Sequence, residues 1–509
     1  MTDRMEAVAK LRTGISGFDE MALGGLPEGR PTIVTGTTGS GKTLLAVQFL
    51  AEGVRQFDQP GVLVTFEETP SAIRRNVASL GFDIAGWEEM GKWAFVDASR
   101  GESEEQVEVG AYDFGALVSR IDHAVERIGA KRLSIDSLEA IFSRFADSGS
   151  VRRQLFEVAA AVNNMGVTSV ITAERAHDHD GISRFGVEEF VADNVVILRN
   201  VLEQEKRRRT VEILKLRGAP HRSGEFSFAI DPEAGLTVIP FSLVELQQVA
   251  SSIRVSAGNA ELDLMCGGGL YRDSVTFVSG ATGTGKTLLA NHFAAAGVTA
   301  GERCVLFSFE ESRDQLFRNA SSWGFDLDAM ERSGRLQIVC DYPEVASLDD
   351  HFILIRQRID AFKPSRLAID NLSALERIST PRGLRDFVVG LAAFLRREEI
   401  TCLFTSATAT LSGGGSATEA NISSLADTII LLRYVEVAGD VRRAVAVLKA
   451  RGSAHDHRIL EFRIDGDGMH IGQPFRHLAG ILSGTPTLLS AADLAQVTRT
   501  LVLEDEEAR

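Results

Sequence analysis

At 509 residues the chain is longer than a single hydrophobic core usually grows, so two domains are expected. Hydrophobic residues at 44% and charged residues at 24% exclude a disordered or fibrous chain. The formal net charge of -16 opposes the phosphate backbone of nucleic acid, so no nucleic-acid partner is expected.

Met1 to Lys10 mix acidic and basic residues with no apolar stretch of signal-peptide length. Farther along, an apolar run such as Phe387 to Leu395 falls well short of the roughly 20 residues a membrane span needs, so a cytoplasmic location without a membrane partner is expected. In chain order, PTIVTG is a short β-branched run stopped by glycine, and the glycine-rich loop after it opens onto the apolar helical pattern TLLAVQFLAEGV. VLVTF, RLSID, VTSVITA and NVVIL follow as nearly all-apolar strands separated by helical segments, as strands buried on both faces of a parallel sheet do.

The order then repeats. GTTGSGKT returns as GATGTGKT 244 residues later, FEE at Phe66 returns at Phe309, and LSIDSL returns as LAIDNL. ADNVVILR returns as ADTIILLR, and KLRGAPH as KARGSAH. Five blocks in one order describe a duplicated domain, not a solenoid of short units. The first domain is read as 1–238, the second as 239–488, and 489–509 as a tail ending in EDEE. Cys266, Cys304, Cys340 and Cys402 lie far apart with no C-x-x-C pair, which suggests small buried apolar side chains and neither a disulfide framework nor a zinc site.

The blocks carry chemistry. In G-x-x-x-x-G-K-[ST], glycines let backbone amides turn around a phosphate at a helix N-terminus. Gly36, Thr37, Thr38, Gly39, Ser40, Gly41, Lys42 and Thr43 form the first such loop; Gly280, Ala281, Thr282, Gly283, Thr284, Gly285, Lys286 and Thr287 form the second. The lysines reach the terminal phosphates of ATP, while Thr43 and Thr287 supply hydroxyls to Mg2+. Asp136 and Asp370 each end an apolar strand, the place for a carboxylate that holds the metal through water. Glu67 with Glu68, and Glu310 with Glu311, are read as catalytic pairs at the end of the strand after the loop helix: one accepts a proton from the attacking oxygen, and strand alternation gives the other a different role. Lys215, Arg217 and His221, repeated as Lys449, Arg451 and His455, stand far along the chain from the phosphate loop, and are read as cations given in trans to the phosphate of a neighbouring subunit. These features describe two tandem RecA-like P-loop domains of α/β class, each a mostly parallel sheet flanked by helices.

Along nearly its whole length the chain resembles the KaiC family, the double-ring ATPases and autokinases of the cyanobacterial circadian clock. VRRQLFEVAA, RFGVEEFVADNVVILRNVLE, MCGGGL and NASSWGFD carry the resemblance. It implies a homohexamer of stacked double rings, with ATP at each subunit interface and Arg443 among the nucleotide-binding residues. It further implies slow hydrolysis in the first ring, with autophosphorylation and autodephosphorylation in the second. The phosphorylated pair of the family corresponds to Ser423 and Ser424; the second is threonine in the clock protein. Aligning the halves on Asp193 and Asp427 puts Glu189 and Phe190 opposite these serines, so the first domain has no hydroxyl to modify there. Asn371 stands where the family has serine, and Ala454 where it has tryptophan. The segment Glu104 to Phe114 resembles the surface that receives KaiB, so a KaiB-like partner is implied. The tail does not match the segment that KaiA binds, so no KaiA partner is inferred. Two other readings remain: a RecA-like motor on DNA, for which Lys206 to Arg209 (KRRR) speaks, and an assembly switch that binds ATP without kinase activity.

Overall fold

The computed structural model describes residues 8–98, 114–137, 157–175, 193–203, 206–239, 251–408, 425–476, 478–482 and 486–488. The chain divides into two compact units, Met1–Leu243 and Val244–Arg509.

In the first unit the strands of the main sheet are β1 (Pro31–Gly36), β2 (Gly61–Thr65), β3 (Trp93–Asp97), β4 (Arg132–Asp136), β5 (Thr168–Glu174), β6 (Asn194–Glu203), β7 (Lys206–Leu216), β8 (Glu225–Asp231) and β9 (Gly235–Ile239). They form one sheet in the order β9-β8-β7-β6-β1-β5-β4-β2-β3. Pairing is parallel from β3 through β6 and antiparallel from β6 to β9. Helix α1 (Lys42–Phe57) packs on one face and α2 (Phe114–Ile128) on the other.

Alternation along each strand divides the apolar residues between these two layers. Leu63 joins Leu45, Phe49 and Leu50 of α1, whereas its neighbours Val62 and Val64 join Leu117 and Ile121 of α2. Continuous apolar strands are what a sheet covered on both sides requires.

The second unit repeats the plan. The strands of its main sheet are β10 (Val275–Gly280), β11 (Cys304–Ser308), β12 (Leu336–Cys340), β13 (Arg366–Asp370), β14 (Thr401–Ala407), β15 (Thr428–Val437), β16 (Asp440–Ala450), β17 (Leu460–Asp465) and β18 (Gly468–Pro474). The order β18-β17-β16-β15-β10-β14-β13-β11-β12 is that of the first sheet, strand for strand. Helix α3 (Lys286–Thr299) lays Leu289 and Phe293 against Leu306 and Ile430. Elsewhere in the unit, Phe352 of α4 (Leu348–Phe362) meets Phe387 and Phe394 of α5 (Pro381–Arg397) with ring centroids 6.3 and 5.9 Å apart.

Cys266, Cys304 and Cys402 are buried free thiols and Cys340 is half-buried, as the sequence suggests. Burial pushes the thiols of Cys266 and Cys304 up to about 12, so they are unreactive near neutrality. Among the described residues no helix is long and apolar enough to cross a membrane.

Candidate nucleotide site

Each phosphate loop leaves the carboxyl end of the central strand, β1 or β10, and turns into α1 or α3. A Cβ on Gly36 would stand 2.4 Å from Ser40 Oγ and 2.5 Å from Leu198 O, so only glycine lets the loop close over the neighbouring strand. Gly41 and Gly285 cap the two helices at φ 94° and 110°, a conformation that L side chains avoid. Lys42 Nζ donates to Gly36 O and Thr37 O at 2.9 and 3.0 Å, and Lys286 Nζ to Gly280 O and Ala281 O, both at 2.9 Å. Thr38 donates to Glu174 at 2.6 Å, and Thr284 to Ala281 O at 2.8 Å. Burial lowers the pKa of Lys286, with Asp370 and Glu310 acting against it. In the first unit the loop borders a cleft of about 500 Å³, lined by Gly39, Gly41, Lys42 and Thr43 together with Glu68, Asn76 and Asp231.

The acidic residues gather at the same sheet edge, because parallel pairing sets Thr65 opposite Asp136 and Ser308 opposite Asp370. Asp136 accepts a hydrogen bond from Thr172 at 2.5 Å, and Asp370 from Thr405 at 2.5 Å. Thr287 also donates to Asp370 at 2.6 Å, which joins the two residues assigned to the metal. The strands stop at Thr65 and Ser308, so both glutamate pairs lie on the bend beyond. Their unequal surroundings therefore come from different partners and not from strand alternation. Ser137 Oγ donates to Glu67 at 2.8 Å and Asn371 Nδ2 to Glu310 at 2.6 Å. Asn76 Nδ2 donates to Glu68 at 2.8 Å; Asn319 Nδ2 reaches the two oxygens of Glu311 at 3.3 and 3.4 Å. Burial raises the pKa of Glu311, and Asp370 adds to the rise while Asn319 opposes it.

The repeated cationic block lies elsewhere. Strand β7 runs antiparallel to β6, which sets Leu216 opposite Asn194, and Asn194 lies opposite Thr32 near the start of β1. Lys215, Arg217 and His221 thus follow the edge of the sheet where β1 begins, while Gly36 ends it. Arg30 donates to Arg217 O at 3.0 Å, and Arg217 donates to Asp193 at 2.9 Å. A six-residue strand spans about 20 Å, so the block does not reach the phosphate loop of its own unit. Lys449, Arg451 and His455 repeat the placement: Lys449 lies opposite Ile429, and Arg451 stands 3.8 Å from Asp427. Arg443 does not travel with them. It pairs with Tyr434, whose hydroxyl would stand 2.7 Å from a Cβ on Gly283, so it flanks the phosphate loop of its own unit.

Both blocks begin with a β-bulge. The register shifts between Val195 and Val196, and again between Ile429 and Ile430, leaving Leu214 and Leu448 as extra residues before the lysines. Those leucines are 42% and 48% exposed. Ser423, Ser424 and the segment 104–113 lie outside the described residues, as does the tail from 489.

Comparison with known proteins settles the family. The family described as "ATPase: KaiC" matches residues 11–242 and 255–475, one match in each unit. The chain belongs to the KaiC ATPase family. It is 53% identical over 493 residues to the circadian clock protein KaiC3 of Synechocystis sp., covering 97% of both chains. To the circadian clock oscillator protein KaiC of Synechococcus elongatus it is 49% identical, over 97% of this chain and 95% of that one. The oscillator protein KaiC of Picosynechococcus sp. is 48% identical, over 98% and 96%. The resemblance drawn from the sequence segments is borne out, and the function is that of a KaiC-type ATPase.

The residues that brace the carboxylates of this KaiC-type site were not foreseen: Ser137, Thr172 and Asn76, and their counterparts Asn371, Thr405 and Asn319. A signal for most of them was present, since Asn76 in RRNVAS and Asn319 in FRNASS, like Thr172 and Thr405, recur at corresponding places in the two halves.

Proposed function

We propose that both units hydrolyse ATP held by the phosphate loop of one copy and completed by the cationic block of the next, and that the second unit also phosphorylates the chain itself at Ser423 and Ser424. The observation that carries this reading is the separation of the two blocks: Lys215, Arg217 and His221 follow one edge of the sheet and Gly36 to Thr43 leave the other. Cations needed at the phosphate must then come from a second copy, and a closed ring supplies every site alike. The exposed Leu214 and Leu448 beside the two lysines suit such a contact.

In this reading Thr43 with Asp136, and Thr287 with Asp370, hold Mg2+ together with the phosphates. Among the described residues no group of three or more His, Cys, Asp or Glu side chains forms a cage of its own, which fits a metal held mainly by phosphate and water. The ion would neutralise charge on the terminal phosphates. Glu67 or Glu310 takes the proton of the attacking oxygen as that oxygen bonds to the γ-phosphorus, and the bond to the bridging oxygen breaks with its electron pair left on ADP. Water is the attacker in the first unit; in the second it is water or a serine hydroxyl.

Assembly as a hexamer of double rings, a cytoplasmic location and a KaiB-like partner belong to the same proposal. A motor on DNA is disfavoured by the use made of the KRRR run: Arg207 donates to Asn200 O at 2.8 Å and Arg208 to Ser227 Oγ at 3.3 Å, within the sheet. Intact-mass spectrometry after incubation with Mg-ATP tests the kinase claim. Gain of one or two phosphates by the native chain, abolished in the Ser423→Ala, Ser424→Ala double variant, is expected; undiminished incorporation in that variant would discard the assignment.

A further inference from the structure

The two units support their first glutamate differently. Ser137 and Asn371 occupy equivalent positions, each directly after the metal-site aspartate. Asn371 is buried, with 4% exposure, and its two amide atoms have separate tasks. Its Oδ1 accepts from Ala374 N at 3.0 Å, capping the short helix Leu372–Ile378. Its Nδ2 donates to Glu310 Oε2 at 2.6 Å. Turning the amide over would set Oδ1 against the carboxylate and NH2 against the Ala374 amide, so the cap fixes which atom meets Glu310. Toward Glu310, Asn371 is only a donor. Ser137 is not so limited: its hydroxyl donates to Glu67 at 2.8 Å but is able to accept as well.

The second oxygen of Glu310 is placed by what remains. Arg377, from the helix that Asn371 caps, stands 3.7 Å from Glu310 Oε1 and is itself held by Glu344 at 2.7 Å. Glu310 is about half exposed, and Oε1 is the oxygen that Asn371 leaves unheld.

We propose that Asn371 is a positioning residue of the second unit: by clamping Oε2 from a capped, donor-only amide, it presents Oε1 of Glu310 to the attacking oxygen. The inference rests on the reading of Glu310 as the proton acceptor. It assigns to Asn371 a part in the rate of the step and none in holding ATP.

The test uses the full chain with Glu67→Gln and Glu68→Gln, which silence the first unit, so that ADP release and phosphate incorporation report the second. Asn371→Ser keeps a cap and a donor; Asn371→Asp keeps the cap and the shape but sets a second carboxylate against Glu310. Asn371→Asp is expected to lower kcat by about tenfold or more with KM for Mg-ATP nearly unchanged, and Asn371→Ser to keep most of the activity. Unchanged thermal midpoints in both variants would separate this from a folding defect. Equal rates for the serine and aspartate variants, or a loss confined to KM, would overturn the inference while leaving the reading of Glu310 intact. A background that neither releases ADP nor takes up phosphate before Asn371 is altered would overturn both.

Discussion

Asn291 occupies the place in α3 that Val47 occupies in α1, among the buried residues of the helix. Its side chain is fully buried, and neither Oδ1 nor Nδ2 has a hydrogen-bond partner among the described residues. Burying an amide without partners costs about 1–3 kcal/mol by protein mutational data, so Asn291→Val should stabilise the second unit by an amount of that order. A urea midpoint that rises with an unchanged slope would bear this out; a fall would mean that Asn291 satisfies a partner in the folded chain. Residues with a local rule were legible from the sequence. The phosphate-loop glycines declare themselves because backbone geometry admits nothing else at Gly36 and Gly41. Arg132 was not legible, because a lone arginine beside an apolar strand reads as surface charge. It is fully buried, donating to Thr13 O, Phe49 O and Arg12 O at 3.0, 2.7 and 2.6 Å. Its copy Arg366 donates to Ser256 O at 2.7 Å. Gly53 and Gly297, unexplained by helix propensity, make room for these side chains: a Cβ would stand 2.5 Å from Arg132 Cδ and 2.7 Å from Arg366 Cδ.

At the scale of elements the two antiparallel hairpins, β6–β7 and β15–β16, share a register and differ in charge. Arg199 donates to Glu212 at 2.7 Å and lies 3.1 Å from Glu225. At the matching place in the second unit, Arg433 is 8% exposed, its Nε and Nη1 have no hydrogen-bond partner among the described residues, and the residue in the place of Glu212 is Ala446. A buried guanidinium with two nitrogens left without hydrogen bonds opposes folding, so Arg433→Met should raise the hydrogen-exchange protection of β15 and β16, by about 1–4 kcal/mol on the scale of buried-charge replacements. Arg199→Met should do the reverse in β6 and β7, by only about 1 kcal/mol, since water screens the half-exposed Glu225. Lowered protection in the Arg433 variant would show that an acidic group reaches it. The strands themselves could be read in advance, because runs such as VLVTF and RLSID carry β-branched residues between glycine and charge. The bulges at Leu214 and Leu448 could not: one extra residue in an alternating run leaves no mark in composition, and only pairing reveals it.

For the whole molecule, the decisive geometry is that each sheet carries the phosphate loop on one edge and the cationic block on the other, the two halves of the proposed site. The repeat made both halves visible in the sequence, and the distance between them became clear only when β7 was seen to run back to the start of β1. If the halves meet between copies, defects in different halves should complement. A chain with Lys42→Ala lacks the grip on phosphate but keeps Lys215 and Arg217, and a chain with Lys215→Ala and Arg217→Ala has the opposite lesion. With Glu310→Gln and Glu311→Gln added to both, so that only the first unit reports, each chain alone should turn over ATP at least tenfold more slowly than the parent. When the two are mixed in equal amounts and allowed to assemble, an intact loop faces an intact cationic block at about a quarter of the interfaces of a randomly filled ring with heterologous contacts. ADP release should therefore recover to about a quarter of the parent rate, and the recovery should vanish on dilution below the assembly threshold. Mixtures no faster than the average of their components would mean that each copy completes its own site, and the ring would lose its chemical reason.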